Sequence, residues 1–346
     1  MSVTTQLPIP DHFDAAKVGE VWRVPYQQRA DEALAWAIQQ TIHPADTDRF
    51  RVCLVIIDAQ NTFCIPDFEL FVGGRSGMGA VEDNVRLCEF IYRNVGLITD
   101  IAPTMDTHTA MQIFHPFFWI DNAGKNPPPM TMISVNDVEQ GRWAVNPAIA
   151  SGISMSQDLD LHDYALHYVR KLSDAGKYLL TIWPYHSMLG GIGHALVSSI
   201  EEACFFHAIA RKRQTHFELK GSNPFTENYS VLQPEVLVDG NQRAIAQKNT
   251  GFIEKLLDFD AVIIAGQAKS HCVAWTIDDL LSEIQARDPR LAHKIYVLED
   301  CTSPVVVPGV IDFTDPANEA FQRFADAGMN LIQSTDSLPH VLGIDP

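Results

Sequence analysis

The chain has 346 residues, 46% of them hydrophobic and 20% charged, a composition that supports a large buried core and excludes disordered and collagen-like chains. Lys+Arg 25 against Asp+Glu 43 leaves a formal charge of −18, which repels phosphate backbones and anionic headgroups and argues against nucleic-acid and membrane-surface roles. No window reaches the ~18 uninterrupted apolar residues of a membrane span. The opening MSVTTQLPIPDHFDAAKVGE lacks the basic and apolar regions of a secretory signal, so a cytoplasmic protein is expected. The six cysteines, at 53, 64, 88, 204, 272 and 301, form no C-x-x-C pair and read as free thiols in a reducing compartment.

In chain order, residues 1–48 form an N-terminal extension with an amphipathic helix in ADEALAWAIQQ, and residues 49–346 form the main domain. Short β-branched runs predict strands at 52–58, 99–106, 178–183, 216–220, 260–266 and 294–300, with a weaker seventh at 329–333. Helical periodicity falls at 80–94, 195–212, 245–257, 273–286 and 318–327. The alternation predicts a doubly wound, three-layer α/β fold around a mostly parallel six-stranded sheet. Residues 109–177 interrupt it with an insertion rich in Pro, Asn, Met and aromatics, in which NAGKNPPPMTM cannot be helical. It reads as a lid or an oligomer contact, the alternative being a solvent-exposed excursion without function. A small-molecule substrate and a homo-oligomer are the expected partners.

In such sheets ligands bind beyond the carboxyl ends of the strands. Those ends here read IID (Asp58), TMDTH (Asp106, His108), IWPYH (Trp183, His186), ELKG (Lys220) and AGQAKSHC (Cys272). Cys272 opens a helical segment, where free N–H groups and the helix dipole favour a thiolate and could hold an oxyanion; a buried core cysteine is the plain alternative. Asp58 could act as its base if apolar walls raise its pKa, with Lys220 offsetting the carboxylate's effect on the thiol. Taken singly, an Asp that caps a turn and a solvent-facing Lys explain the same residues. Asp106 and His108, two apart on an extended segment, share a side, and His186 could complete a two-His, one-carboxylate metal set. His115, before PFFW, and His271 are further candidates for that set, and otherwise packed histidines.

Together, LVIIDAQNTFC, TMDTH, IWPYH, FELKGSNPFTENYS and VIIAGQAKSHCVAWTIDDLL resemble, in order, the motifs of the isochorismatase-like cysteine hydrolases, and among these the nicotinamidases. The resemblance runs from 52 to about 333 apart from the insertion. It implies an amidase in NAD metabolism, with catalytic Asp58, Lys220 and Cys272, an oxyanion hole from the N–H groups of Ala268 and Cys272, and metal ligands Asp106, His108 and His186. One divalent ion is implied, zinc first, with iron or manganese the alternatives. It also implies a non-proline cis peptide between Gln267 and Ala268, and an aromatic slot of Phe63 and Trp183, with His271, for a flat ring.

Three features depart from the pattern. Ser187 follows His186 where many relatives have cysteine, 80 residues separate Asp106 from His186, and Gln267 replaces a commonly aliphatic residue. These put the substrate in question, and the insertion, beginning directly after His108, can reshape the pocket for a larger amide. A metal-free relative cleaving carbamoyl, ureido or maleamate-type amides is the nearest alternative. A vinyl-ether hydrolase of the isochorismatase type is disfavoured by the presence of Cys272, and a non-catalytic binding protein on the same fold is the alternative from another class.

Overall fold

Strand β1 (Val52–Ile57) divides its side chains between two buried layers. Val52, Leu54 and Ile56 enter one apolar cluster, while Cys53, Val55 and Ile57 enter another, the period-2 alternation of a strand covered on both faces. The computed structural model describes residues 6–149, 152–153, 159–176 and 178–344. Parts of both expected additions, residues 1–5, 150–151, 154–158 and 177, lie outside that set.

Five further strands, β2 (Asp100–Asp106), β3 (Glu218–Lys220), β4 (Ala261–Gly266), β5 (Ile295–Leu298) and β6 (Asn330–Ile332), complete a six-stranded sheet. Its order is β6-β5-β4-β1-β2-β3 and every pairing is parallel. The order reverses direction at β1, so β1, β2 and β4 end side by side where a doubly wound sheet opens its crevice. Helices α1 (Tyr26–Gln39), α2 (Gly79–Arg93) and α4 (Ser198–Arg211) pack on one face. On the other lie α5 (Thr250–Asp258), α6 (Ala274–Arg287) and α7 (Thr314–Asp326). The extension is stapled to the first layer by a buried Arg29–Glu202 ion pair, 2.7 Å, between α1 and α4.

Segment 178–183 corrects one expectation. It supplies only Leu180–Thr181, paired antiparallel with Met132–Ile133 of the insertion, and takes no place in the central sheet. The weaker run at 329–333 fills the sixth position instead, as β6. The physical reason is that Leu180, Ile182 and Trp183 bury themselves in a third core with Ile113, Phe114 and Trp119, and with Tyr164 and Tyr168 of helix α3 (Leu161–Asp174). Apolar alternation marks a half-buried strand without naming its partner. The insertion therefore has a packed interior of its own.

Candidate active site

Asp58 ends β1 with φ +44° and is fully buried, a left-handed turn that Asp tolerates better than most residues. Thr104 on β2 fixes it from both ends: its hydroxyl donates to Asp58 Oδ1 at 2.5 Å and accepts from the Asp58 N–H at 3.1 Å. Gln60 fixes the neighbouring strand end. Its amide donates to the Asp106 carbonyl at 2.8 Å and accepts from the Asp106 N–H at 2.7 Å. Both partners are buried, so these bonds are strong positional constraints.

Lys220, ending β3, sits at the centre. Its Nζ lies 2.9 Å from Asp58 Oδ2, 2.8 Å from Asp106 Oδ1, 2.8 Å from the Asn228 carbonyl and 3.6 Å from Cys272 Sγ. Burial works against its charge, yet Asp106, Asp58 and Cys272 outweigh burial and hold the ammonium well above its ordinary range. The next residue must be glycine: at φ +83° a Cβ on Gly221 would stand 2.8 Å from both Asp106 Oδ1 and His108 Cε1.

Cys272 lies on a π-helical turn, Lys269–Val273, that runs into α6. The Ala268 carbonyl shapes this turn by accepting from the N–H groups of His271 (3.0 Å) and Val273 (3.2 Å), and the Gln267–Ala268 peptide is cis, as the resemblance implied. Gln267 is polar for a reason. Its side-chain amide donates to Asp83 Oδ2 of α2 at 2.8 Å and accepts from Ser303 N at 3.3 Å, bridging two elements behind the turn. The expected thiolate stabilisation does not dominate. Burial, and after it the negative charges of Asp58 and Asp106, push the thiol well above its ordinary value, against the pull of Lys220. Burial also raises Asp58, again opposed by Lys220. A protonated thiol therefore faces a carboxylate able to accept its proton.

Asp106, His108 and His186 converge, one donor atom from each lying within 4.8 Å of the others. His108 forms a bridge to segment 186–189, with its N–H on the Ser187 carbonyl (3.0 Å) and its carbonyl accepting from Leu189 N (3.0 Å). The 80-residue separation is thus closed by local pairing. Each histidine directs Nδ1 at a carbonyl, His108 at Gly221 O (3.0 Å) and His186 at Pro184 O (2.8 Å). A carbonyl only accepts, so Nδ1 carries a proton in both rings and Nε2 is the nitrogen left to face the group. His108 Nε2 is buried, 2.7 Å from Asp106 Oδ2, and makes no hydrogen bond. An orphaned imidazole nitrogen beside a carboxylate, with its second nitrogen anchored, fits a divalent cation. Burial lowers His186, favouring neutral imidazole, whereas the Asp106 carboxylate outweighs burial and raises His108, and against burial His108 and Lys220 together hold Asp106 well below its ordinary range. His115 is buried next to these rings, 5.7 Å from His108 between centroids, but falls outside the group.

A cavity of about 380 Å³ opens over Cys272. Phe63, Trp183, Ala268 and His271 all line it together with Lys220, Asp106 and His186. Trp183 is held by Nε1 donating to Tyr229 OH at 3.3 Å. Burial pushes His271 down to about 3, so its ring is neutral, and it meets Tyr178 at 4.7 Å and Phe313 at 4.9 Å between centroids. Sequence reasoning missed Gln60, Thr104 and Glu227. Thr104 carried a signal, since it precedes Asp106 by two on the same strand and so shares its side. Glu227 lines the cavity with its carboxyl raised by burial to about 7. Asn228 contributes a main-chain carbonyl, which no side-chain pattern reveals.

No family model matches the chain and no curated protein matches it. Among the solved structures it resembles are amidases. A nicotinamidase/pyrazinamidase of Acinetobacter baumanii is 20% identical over 84% of this chain and 99% of that chain, with a TM-score of 0.49. The yeast nicotinamidase Pnc1p is 19% identical over 81% and 99%, TM-score 0.49. The N-carbamoylsarcosine amidase from Thermoplasma acidophilum is 16% identical over 84% and 99%, TM-score 0.41. The reading of the site rests on this chain's own side chains.

Proposed function

We propose that this chain is a metal-containing cysteine amidohydrolase that converts nicotinamide, or a related aromatic carboxamide, to the acid and ammonia through a thioester on Cys272. The observation that carries this reading is one buried ammonium, Lys220, set against Asp58, Asp106 and the Cys272 thiol at the floor of an aromatic-walled cavity.

The chemistry follows from the charges. As Cys272 Sγ attacks the carboxamide carbon, its proton passes to Asp58, which burial has made basic enough to receive it. Lys220 stays protonated throughout and stabilises the sulfur and both carboxylates as negative charge moves among them. The N–H groups of Ala268 and Cys272 hold the oxyanion in this proposal. Asp58 then protonates the departing nitrogen, ammonia leaves, and the acyl group remains on sulfur. Asp58, again a carboxylate, deprotonates a water that attacks the thioester, and the proton returns to Cys272 as the acid departs. Phe63 and Trp183 hold the flat ring between them.

Asp106, His108 and His186 would hold the divalent ion; zinc is the proposed occupant, and iron or manganese accept the same donors. When bound, the ion supplies a Lewis-acidic anchor for a ring nitrogen or water. The convergence of buried Asp106, His108 and His186, with a donor atom of each within 4.8 Å of the others, supports a metal-containing amidase over a metal-free one. With nicotinamide as substrate the reaction belongs to NAD metabolism, and the reducing compartment that suits six free thiols is the cytoplasm. The test is ammonia release from nicotinamide by the purified protein, with Cys272→Ala as control. Release that vanishes in the variant supports the reading; release that persists removes Cys272 from the mechanism.

A further inference from the structure

The cavity has two halves that differ in chemistry. The inner half carries the polar floor, where Asp106, Lys220, Gln267 and Cys272 are all buried. The outer half is built by segment 68–72, by Met130 of the insertion and by segment 305–307. Its side chains are apolar apart from Glu69, and Met130 among them is 40% exposed. No Lys or Arg lines this outer half among the described residues; Lys220, bonded to two carboxylates on the floor, is the only one in the whole cavity.

Each outer wall is bonded to an element that carries a site residue. Val72 N donates to the Phe63 carbonyl at 2.8 Å and Leu70 N to Thr62 O at 3.2 Å. Val305 N donates to Ser270 Oγ at 3.0 Å, two residues before Cys272. Met130 N donates to Ile182 O at 2.6 Å, directly before Trp183. The outer half is therefore preformed around the ring slot, and its volume belongs to the ligand-binding space. At about 380 Å³ the whole cavity falls in the ~300–1,000 Å³ range of sites that enclose drug-sized ligands, and a single-ring carboxamide fills only its inner part.

We infer that the preferred substrate is an aromatic carboxamide bearing an uncharged apolar substituent on the side of the ring away from the amide. This rests on the amidase reading above and adds the substrate class to it. The substituent lies along segments 68–72 and 305–307. A carboxylate there would leave water with no cation to meet it and would face Glu69, so anionic amides are disfavoured. An apolar tail gains about fourfold per buried methylene, enough for two or three carbons to exceed tenfold.

Three amides test this: nicotinamide, nicotinamide with a phenylalkyl group on the ring carbon meta to both the carboxamide and the ring nitrogen, and its carboxyalkyl counterpart. Ammonia release gives kcat/KM on the unaltered enzyme, and titration calorimetry gives affinity for Cys272→Ala. The expected result is a kcat/KM for the phenylalkyl amide at least tenfold above nicotinamide, matched by tighter binding, with no gain for the carboxyalkyl amide. In Phe71→Ala the phenylalkyl-to-nicotinamide ratio should fall toward one. Cysteine-dependent turnover in which nicotinamide equals or exceeds the phenylalkyl amide overturns the inference and leaves the amidase reading standing. Tight binding of the phenylalkyl amide without turnover of any of the three removes the amidase reading, and the substrate inference with it, while leaving the apolar subsite; absence of both binding and turnover removes the subsite as well.

Discussion

Replacing Lys220 by methionine probes the electrostatic centre of the site. The side chain keeps its length while two buried carboxylates, at 2.9 Å and 2.8 Å from Nζ, lose their common partner. Leaving one buried charge unpaired costs about 3–5 kcal/mol, and here Asp58 loses its ammonium while Asp106 keeps His108 at 2.7 Å, so a loss of about 4 kcal/mol is expected at pH 7. The deficit should depend on pH in a definite direction. Without the ammonium, Asp58, already raised by burial, rises further above the unfolded value of about 3.9, and Asp106 loses one of the two cations that hold it down. Their penalty is then absent in acid and grows as pH rises toward the new folded values. Each proton taken up differentially changes stability by about 1.4 kcal/mol per pH unit, so one carboxyl held protonated across this range makes the deficit at pH 7 exceed that at pH 5 by about 3 kcal/mol. Urea unfolding of both proteins at the two pH values measures this. A deficit below about 1 kcal/mol at pH 7, or one equal at both pH values, would refute the idea that Lys220 holds the two carboxylates in their charged form.

Three other perturbations have defined outcomes. Asp58→Asn removes a negative neighbour that raises the thiol, so iodoacetamide should label Cys272 faster at pH 8 while turnover drops by about 10²–10⁴-fold; parallel losses in both would contradict the assigned proton path. His186→Ala should lower the metal content found by elemental analysis and leave Cys272 alkylation in place, whereas unchanged metal content would remove His186 from the ligand set. Gly221→Ala introduces a Cβ 2.8 Å from Asp106 Oδ1 at φ +83°. It should reduce metal content and cost more than about 1 kcal/mol in urea unfolding, and a fully metallated, equally stable variant would show that the close approach is unimportant.

Much of this site was legible because strand-end chemistry is local. Asp58, Asp106, Lys220 and Cys272 each follow a short apolar run, and a parallel sheet brings such ends to one edge whatever lies between them in sequence. Segment 178–183 shows where that reasoning stops. Its alternation is real, but Ile182 and Trp183 bury into the insertion's own core, and His186 reaches the edge through a bridge beside His108 rather than from a sheet strand. Cys272 shows a second limit. The helix start was visible in the sequence, yet burial sets the thiol's protonation, and burial depends on the whole fold. Gln267 stood out as an unusual residue, but its reason, a bond to Asp83 184 positions away, is tertiary.

The central claim is a covalent acyl group on Cys272, and mass spectrometry of the enzyme quenched in acid during turnover of an aromatic carboxamide tests it most directly. The account predicts a mass increase equal to the acyl group, mapping to the peptide that contains Cys272 and absent from Cys272→Ala. Turnover with no adduct on that peptide, together with activity retained by Cys272→Ala, would contradict it.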